Sequence, residues 1–373
     1  MRNNKYKKLL EHLFSLAGIR INGNNPWDIQ VKDERFYKRA ITEVELGLGE
    51  SYMDGWWDVK SLDDMIFRIL RADLQQKVKH NYKISLQLAG FWLINMQARH
   101  KAFEVGREHY DLGNELFQNM LDKRMNYSCA YWKDAETLDE AQENKLELIC
   151  KKLYLEPGMR VLDIGCGWGA FGKYAAEKYG VETVGITVSK NQVELGRQLC
   201  KDLPVEFRLM DYRDMNEKFD RLVSVGMIEH VGYKNYREYF KVADKCLKDE
   251  GLFLLHTIGE VRSVKSTDAW THKYIFPNGM QPSVKQLGNA IEGLFIVEDW
   301  HNFGAYYDNT LMAWYDNFIA GWDKIKKDYD KRFYMMWKYF LLSSAGAFRA
   351  RRNQLWQIVL SKKGVVGGYN SIR

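Results

Sequence analysis

The segment RVLDIGCGWGAFGKYAAEKYG, residues 160–180, runs an apolar strand into Gly165, Gly167 and Gly169 and straight on into a helix. Glycines at a strand-to-helix turn let bare backbone approach a ligand and adopt positive φ. A turn of this kind can also serve only to pack strand on helix. The loop lacks the G-K-[ST] of a phosphate-cradling P-loop. The next strand end, GITVSKNQ, has no acid to hold ribose hydroxyls as a dinucleotide site would. Asp163 lies inside the glycine loop, where a carboxylate suits an α-ammonium or a sulfonium better than a pyrophosphate. The pattern points to S-adenosylmethionine.

In an open α/β sheet, ligands sit beyond the carboxyl ends of the strands. The residues there are Asp163 to Gly169, Thr187 to Gln192, Asp211 to Arg213, Gly226 to His230 and His256 to Gly259. Asp211 can accept from an adenine amino group while Tyr212 stacks on the ring, or it can simply cap a short helix. Glu229 and His256 end adjacent strands and can hold or exchange a proton near neutrality, or be satisfied polar residues of the core. Cys129, in NYSCAYW, reads from its aromatic surroundings as a small buried hydrophobe. His230, His256, His272 and His301 show no ligand spacing, so no metal site is expected.

The runs RVLDIG, VETVGIT, VEFRLMDY, RLVSVGM and GLFLLHTIG suit strands buried on both faces, with helical patterns between them. The expected fold is α/β, a doubly wound sheet, with a small, mostly helical N-terminal domain over residues 1–100 and a catalytic domain over 101–373. A hairpin is expected in INGNNPWDIQV. The aromatic insertion EVRSVKSTDAWTHKYIFPNGMQPS, within about residues 260–290, reads as a substrate lid. IVEDWHNFG resumes a strand. Residues 306–352 form one helical stretch broken near Gly321, and QLWQIVLSKKG closes the sheet as an antiparallel last strand.

With 373 residues the chain has room for two domains. Twelve Trp and twenty-two Tyr suggest an extended apolar ligand or an interfacial surface. The net charge of +6 favours anionic surfaces. No basic stripe or target-base motif points to nucleic acid. Five cysteines without a C-x-x-C pair suit a reducing cytosol. The basic, amphipathic N-terminus lacks the apolar core of a signal peptide. The basic-flanked run ISLQLAGFWLINM, Ile84 to Met96, is too short to span a bilayer and reads as a core helix or an interfacial one.

Taken in order, YSCAYW at 127, VLDIGCGWG at 161, GITVSKNQ at 185, DYRD at 211, VGMIEHVG at 225, LLHTIG at 254, YIFPNG at 274, EDWHNFG at 298 and FRARRNQLWQ at 348 resemble the cyclopropane-fatty-acyl-phospholipid synthases. GLGESYMDGWWD at 47 and GREHYDLGNELF at 106 extend the likeness over nearly the whole chain. The resemblance implies methyl transfer from S-adenosylmethionine to the cis double bond of an acyl chain in a membrane phospholipid, with a bound bicarbonate as the base that lets the ring close. It implies Cys129, Glu229, His256, Tyr307 and the Ile258 amide as holders of the bicarbonate. Cofactor contacts implied are Tyr127, Ser128, Asp163, Gly165, Gly167, Gly169, Thr187, Gln192, Asp211, Tyr212 and Arg213. Tyr306, directly before Tyr307, leaves the register of that tyrosine open, and Glu298 is either a proton-network member or a structural acid. The family further implies a homodimer, cytoplasmic and peripheral on the inner face of the membrane, docked through the N-terminal helices and Ile84 to Met96. Alternatives are a lipid C-methyltransferase giving branched products and a non-catalytic lipid-surface binding protein.

Overall fold

The computed structural model describes residues 2–74 and 113–373. The expected boundary near residue 100 and the run Ile84 to Met96 lie outside the described residues. The chain divides into two compact units: residues 1–112, 267–277 and 311–352, and residues 113–266, 278–310 and 353–373.

The helices, in chain order, are α1 (Arg2–Ser15), α2 (Arg35–Thr42), α3 (Val44–Met53), α4 (Leu62–Arg71), α5 (Asn114–Met120), α6 (Leu138–Lys152), α7 (Ala170–Tyr179), α8 (Lys190–Leu199), α9 (Tyr236–Cys246), α10 (Ala269–Tyr274), α11 (Val284–Ile291), α12 (Tyr306–Ile325) and α13 (Lys331–Arg349). The strands are β1 (Gln30–Val31), β2 (Trp57–Asp58), β3 (Arg160–Ile164), β4 (Glu182–Thr187), β5 (Val205–Leu209), β6 (Phe219–Val225), β7 (Leu247–Glu260), β8 (Ile296–Asn302) and β9 (Asn353–Ser361).

In the second unit a seven-stranded sheet has the order β5-β4-β3-β6-β7-β9-β8. Strands β3 to β7 pair in parallel, and β9 pairs antiparallel with both β7 and β8. Strands β3, β4, β6 and β7 are largely buried on both faces because helices cover each side, whereas β5, expected to be buried likewise, lies at the sheet edge and leaves Glu206 and Leu209 exposed. One layer of core gathers Leu162, Ile164, Tyr239, Phe240, Phe253 and Ile358, and the other gathers Ile149, Phe171, Val223 and Leu254. The last strand is antiparallel as expected, but it lies inside the sheet, with β8 at the edge. Its run of seven consecutive buried residues, Leu355 to Ser361, accords with that interior position.

Two local expectations are corrected. Residues 21–31 do not form a hairpin: Ile21 and Ile29 meet in a parallel bridge, and β1 pairs with β2. The Asp28 carboxylate gathers that loop, accepting from the amides of Arg20 at 2.7 Å and Asn25 at 2.9 Å. The helical stretch breaks after Ile325, not at Gly321, which lies within α12. Asp330 sets the restart, its side chain capping the Phe333 amide of α13 at 2.7 Å.

The expected lid segment contributes α10 to the first unit. Trp270 is buried against α3, where its indole Nε1 contacts Met53 Sδ at 3.3 Å. Glu50, on α3, accepts from Lys273 Nζ and the Tyr274 hydroxyl, each at 2.7 Å, and pairs with Arg39. The motif GLGESYMDGWWD is therefore a docking face for this segment. A Cβ on Gly49 would stand 2.3 Å from Trp270 Cδ1. Gly49→Ala is expected to lower stability by about 2 kcal/mol, because two rigid groups cannot share that space; urea denaturation checks it.

Candidate active site

Glu229 lies in a 3₁₀ turn, Ile228–His230, just after β6. Its backbone carbonyl accepts from the Met280 amide at 2.8 Å, and its carboxylate Oε1 accepts from the Ile258 amide of β7 at 2.8 Å. That amide, expected to face an anion, is thus committed to the acid. Burial pushes the Glu229 carboxyl up to about 7, and the Ile258 bond opposes the rise. Oε2 is buried with no partner at hydrogen-bonding geometry; the nearby Thr257 hydroxyl, which lowers the carboxyl's pKa, donates instead to the Ile258 carbonyl at 3.0 Å.

His256, on β7, stands opposite Gln357 in the β7–β9 register. Gln357 Nε2 lies 3.4 Å from His256 Nδ1. With the amide donating, Nδ1 accepts and the ring proton belongs on Nε2. Nε2 is buried without a partner. Burial, reinforced by Lys145 and Lys152, holds the imidazole neutral, well below its ordinary pKa. The register-neighbour Gln357 escaped sequence reasoning because polar residues inside apolar strands give no period of their own.

Cys129 is fully buried, and its thiol donates to the Ala130 carbonyl at 3.3 Å. Burial raises its pKa, so it acts as a thiol rather than a thiolate. Thr310, also missed from sequence, ties this loop to the first turn of α12. Its Oγ1 accepts from the Ala130 amide at 3.1 Å and Trp132 Nε1 at 2.9 Å, and donates to the Tyr306 carbonyl at 2.9 Å. The two tyrosines of the pair have different surroundings. Tyr307 is buried in electrostatic reach of Cys129, Tyr127 and Glu229, whereas the Tyr306 ring packs 5.5 Å from that of Tyr131.

At the glycine loop, Gly165, Gly167 and Gly169 all have positive φ, at 86°, 54° and 88°. The amides of Gly165 and Cys166 donate to the Ile186 carbonyl at 3.0 and 3.1 Å, which pins the turn to β4. Asp163 is buried, and burial lifts its carboxyl to about 7, with Lys145 pulling it back. Thr187 Oγ1 donates to Gln192 Oε1 at 2.7 Å, bringing those two together.

At the third strand end Asp211 and Tyr212 have partners within the chain. Both Asp211 oxygens take bonds from Arg213, whose guanidinium nitrogens lie 2.8 and 2.6 Å away, and the Asp211 carboxylate also caps the Arg213 amide at 3.0 Å. The capping alternative therefore describes Asp211 here. The Tyr212 ring packs edge-on against Tyr239 at 5.4 Å within the core. Glu298 accepts from Ser361 Oγ at 2.5 Å and the Val365 amide at 2.9 Å, a structural clasp after β9. Among the described residues no group of His, Cys, Asp or Glu has the geometry of a metal site.

A carboxyl raised on folding favours the fold at low pH, and that contribution is lost as pH rises from its ordinary value towards 7. A cationic ligand group beside Asp163 reverses this preference by favouring the carboxylate. Affinity for such a ligand is expected to fall as pH drops from about 8 to about 6, approaching tenfold per unit below about 7. Calorimetric titration across that range checks it.

The family model described as mycolic acid cyclopropane synthetase matches residues 97–358. The cyclopropane-fatty-acyl-phospholipid synthase of Escherichia coli (strain K12) is 53% identical over 371 residues, covering 100% of this chain and 97% of that protein. Sphingolipid C9-methyltransferase A of Emericella nidulans is 33% identical over 72% of this chain and 55% of its own length. Among solved structures, the cyclopropane synthase MmaA2 from Mycobacterium tuberculosis superposes with a TM-score of 0.65 at 30% identity, over 70% of this chain and 98% of that one. The mycolic acid cyclopropane synthase CmaA1, complexed with SAH and CTAB, gives 0.64 at 33% identity, over 68% of this chain and 96% of that one. With identity sustained over its whole length, the chain belongs to the cyclopropane-fatty-acyl-phospholipid synthase family of S-adenosylmethionine-dependent methyltransferases.

Proposed function

We propose that the chain converts cis-unsaturated acyl chains of membrane phospholipids into cyclopropane chains, with bicarbonate as the base. The reading is supported chiefly by two buried polar atoms that lack partners, Glu229 Oε2 and His256 Nε2, each beside an element that fixes its orientation. S-adenosylmethionine supplies an electrophilic methyl, which the alkene π pair attacks as the carbon–sulfur bond breaks. Bicarbonate, when bound, supplies a base for a proton of the new methyl, so that the ring closes without an external oxidant or reductant.

This chain's residues fit that base by their donor set. The neutral His256 ring offers its Nε2 proton to an anion oxygen, and the Tyr307 hydroxyl is kept protonated by burial. Glu229 accepts the remaining O–H through Oε2 and so orients the base rather than acting as it. The Cys129 thiol, raised by burial, adds no charge. Aromatic faces stabilise developing positive charge by roughly 2 kcal/mol or more in a dry site. Phe303, whose ring centre lies 5.9 Å from that of His256, is placed for this role. Asp163 and the glycine loop take the amino-acid end of the cofactor, with Tyr127, Ser128, Thr187 and Gln192 completing its contacts. The enzyme works as a homodimer at the membrane surface; among the described residues no helix is long and apolar enough to cross a membrane.

The test is labelled-methyl transfer to cis-unsaturated phospholipid vesicles, with and without bicarbonate, followed by mass spectrometry of the chains. A gain of CH₂ with loss of the olefin is expected, dependent on bicarbonate. Retained unsaturation with added methyl would favour the branched-product reading, to which the similarity to a sphingolipid C9-methyltransferase lends weight. No turnover at all would favour a lipid-binding role.

A further inference from the structure

Two lysines are buried in the second unit, and only one is in direct contact with a carboxylate. Lys152 Nζ lies 3.3 Å from Asp299 and 3.1 Å from His301 Nδ1. Lys145, on α6, is 1% exposed, and its Nζ makes one hydrogen bond, to Asn126 Oδ1 at 2.6 Å. No other acceptor or carboxylate among the described residues bonds to it. An ammonium carries three N–H donors, and a buried cation without a counter-ion is costly.

The surroundings show why no internal partner meets it. The nearby Asp122 carboxylate is committed elsewhere, accepting from the Asn126 amide at 2.7 Å, Asn126 Nδ2 at 2.9 Å and the Arg124 amide at 3.0 Å. Gln142, one turn before Lys145 on α6, holds the Ser128 carbonyl through Nε2 at 2.9 Å. The two side chains therefore hold the loop at Asn126 and Ser128. The ammonium sits in electrostatic reach of Asp122, Cys129, Asp163 and His256, so the titratable groups around it come from β3, β7 and the loop alike. Burial brings Lys145 down to about 8, so it keeps its proton at neutrality.

We propose that the Lys145 ammonium binds a carboxylate-type anion carried into the site: the methionyl carboxylate of the cofactor or the bicarbonate, which share O–C–O chemistry. The second source rests on the base assigned above, and the first does not. The ammonium then does two things at once. It neutralises an incoming anion and, through Asn126, holds the loop bearing Tyr127, Ser128 and Cys129 in register with it.

Lys145→Met separates the sources. S-adenosylhomocysteine and its decarboxylated analogue are titrated by calorimetry, and carbon-13-labelled bicarbonate is followed by line broadening. If the cofactor carboxylate is the ligand, affinity for S-adenosylhomocysteine falls about thirtyfold while the analogue binds both proteins alike. If bicarbonate is the ligand, S-adenosylhomocysteine stays within about threefold and the broadening seen with the wild type disappears. Lys145→Arg retains the charge and should retain most of either signal. Unchanged titrations and unchanged broadening overturn the proposal. Asn126→Ala, which keeps the ammonium but loses its tie to the loop and the bond to Asp122, should cost clearly less than Lys145→Met, and a loss equal to that of Lys145→Met overturns the anion-binding role. Should Lys145→Met not fold, Lys145→Gln, which can still donate to Asn126, carries the same expectation. A wild type that never broadens bicarbonate would refute the base assignment and leave the cofactor arm to decide Lys145.

Discussion

Glu229→Gln is expected to reduce turnover by about 10³-fold while leaving S-adenosylhomocysteine affinity within about threefold. The substitution is nearly isosteric, and the Ile258 amide can still donate to the remaining carbonyl oxygen. What changes is the second arm, Oε2, which becomes an N–H₂ donor wherever the amide keeps its oxygen towards Ile258. A site that needs an acceptor there would meet two hydrogens instead. Single-turnover kinetics with calorimetric binding checks the split. A comparable loss of cofactor affinity would move Glu229 out of the reaction and into the cofactor's contacts.

Gly169→Val is expected to abolish measurable cofactor binding and to destabilise the protein by about 3 kcal/mol. Residue 169 has φ of 88° and caps α7, a conformation a β-branched residue resists. Its Cβ would also stand 2.3 Å from Phe207 Cζ, a buried ring wedged between β5 and the loop. Relief requires moving either the glycine turn or the β5 core, and either shift displaces the backbone nearest the ligand. Thermal melting with and without S-adenosylhomocysteine checks both parts: a lower Tm and no ligand-induced increment.

Most sheet strands were legible because strands covered on both faces read as nearly continuous apolar runs, whereas the edge strand β5, in VEFRLMDY, alternates instead. The place of β9 was not legible, since whether an antiparallel strand takes the edge or slips between two others depends on pairings made across the whole unit. The break expected near Gly321 falls about a turn later, after Ile325, because a lone glycine is tolerated inside a helix; the effective signal was Asp330 as a cap. Of the site, Glu229, His256, Cys129 and Tyr307 came from strand ends and ordered motifs. Lys145 and Gln142 did not, although a signal existed. Leu138, Ala141, Gln142, Lys145, Leu148 and Lys152 form one buried stripe at helical spacing, and polar residues inside such a stripe mark groups with partners to find.

The interior place of β9 has a temporal consequence. During synthesis β7 emerges about a hundred residues before the strand that will lie beside it, so its open edge must wait, unpaired, for much of the remaining chain. Gln357 arrives with that late strand, and only then is the His256 imidazole given the neighbour that decides which nitrogen bears hydrogen. A nascent chain can therefore own its glycine hinge and Glu229 while its histidine is still chemically undecided.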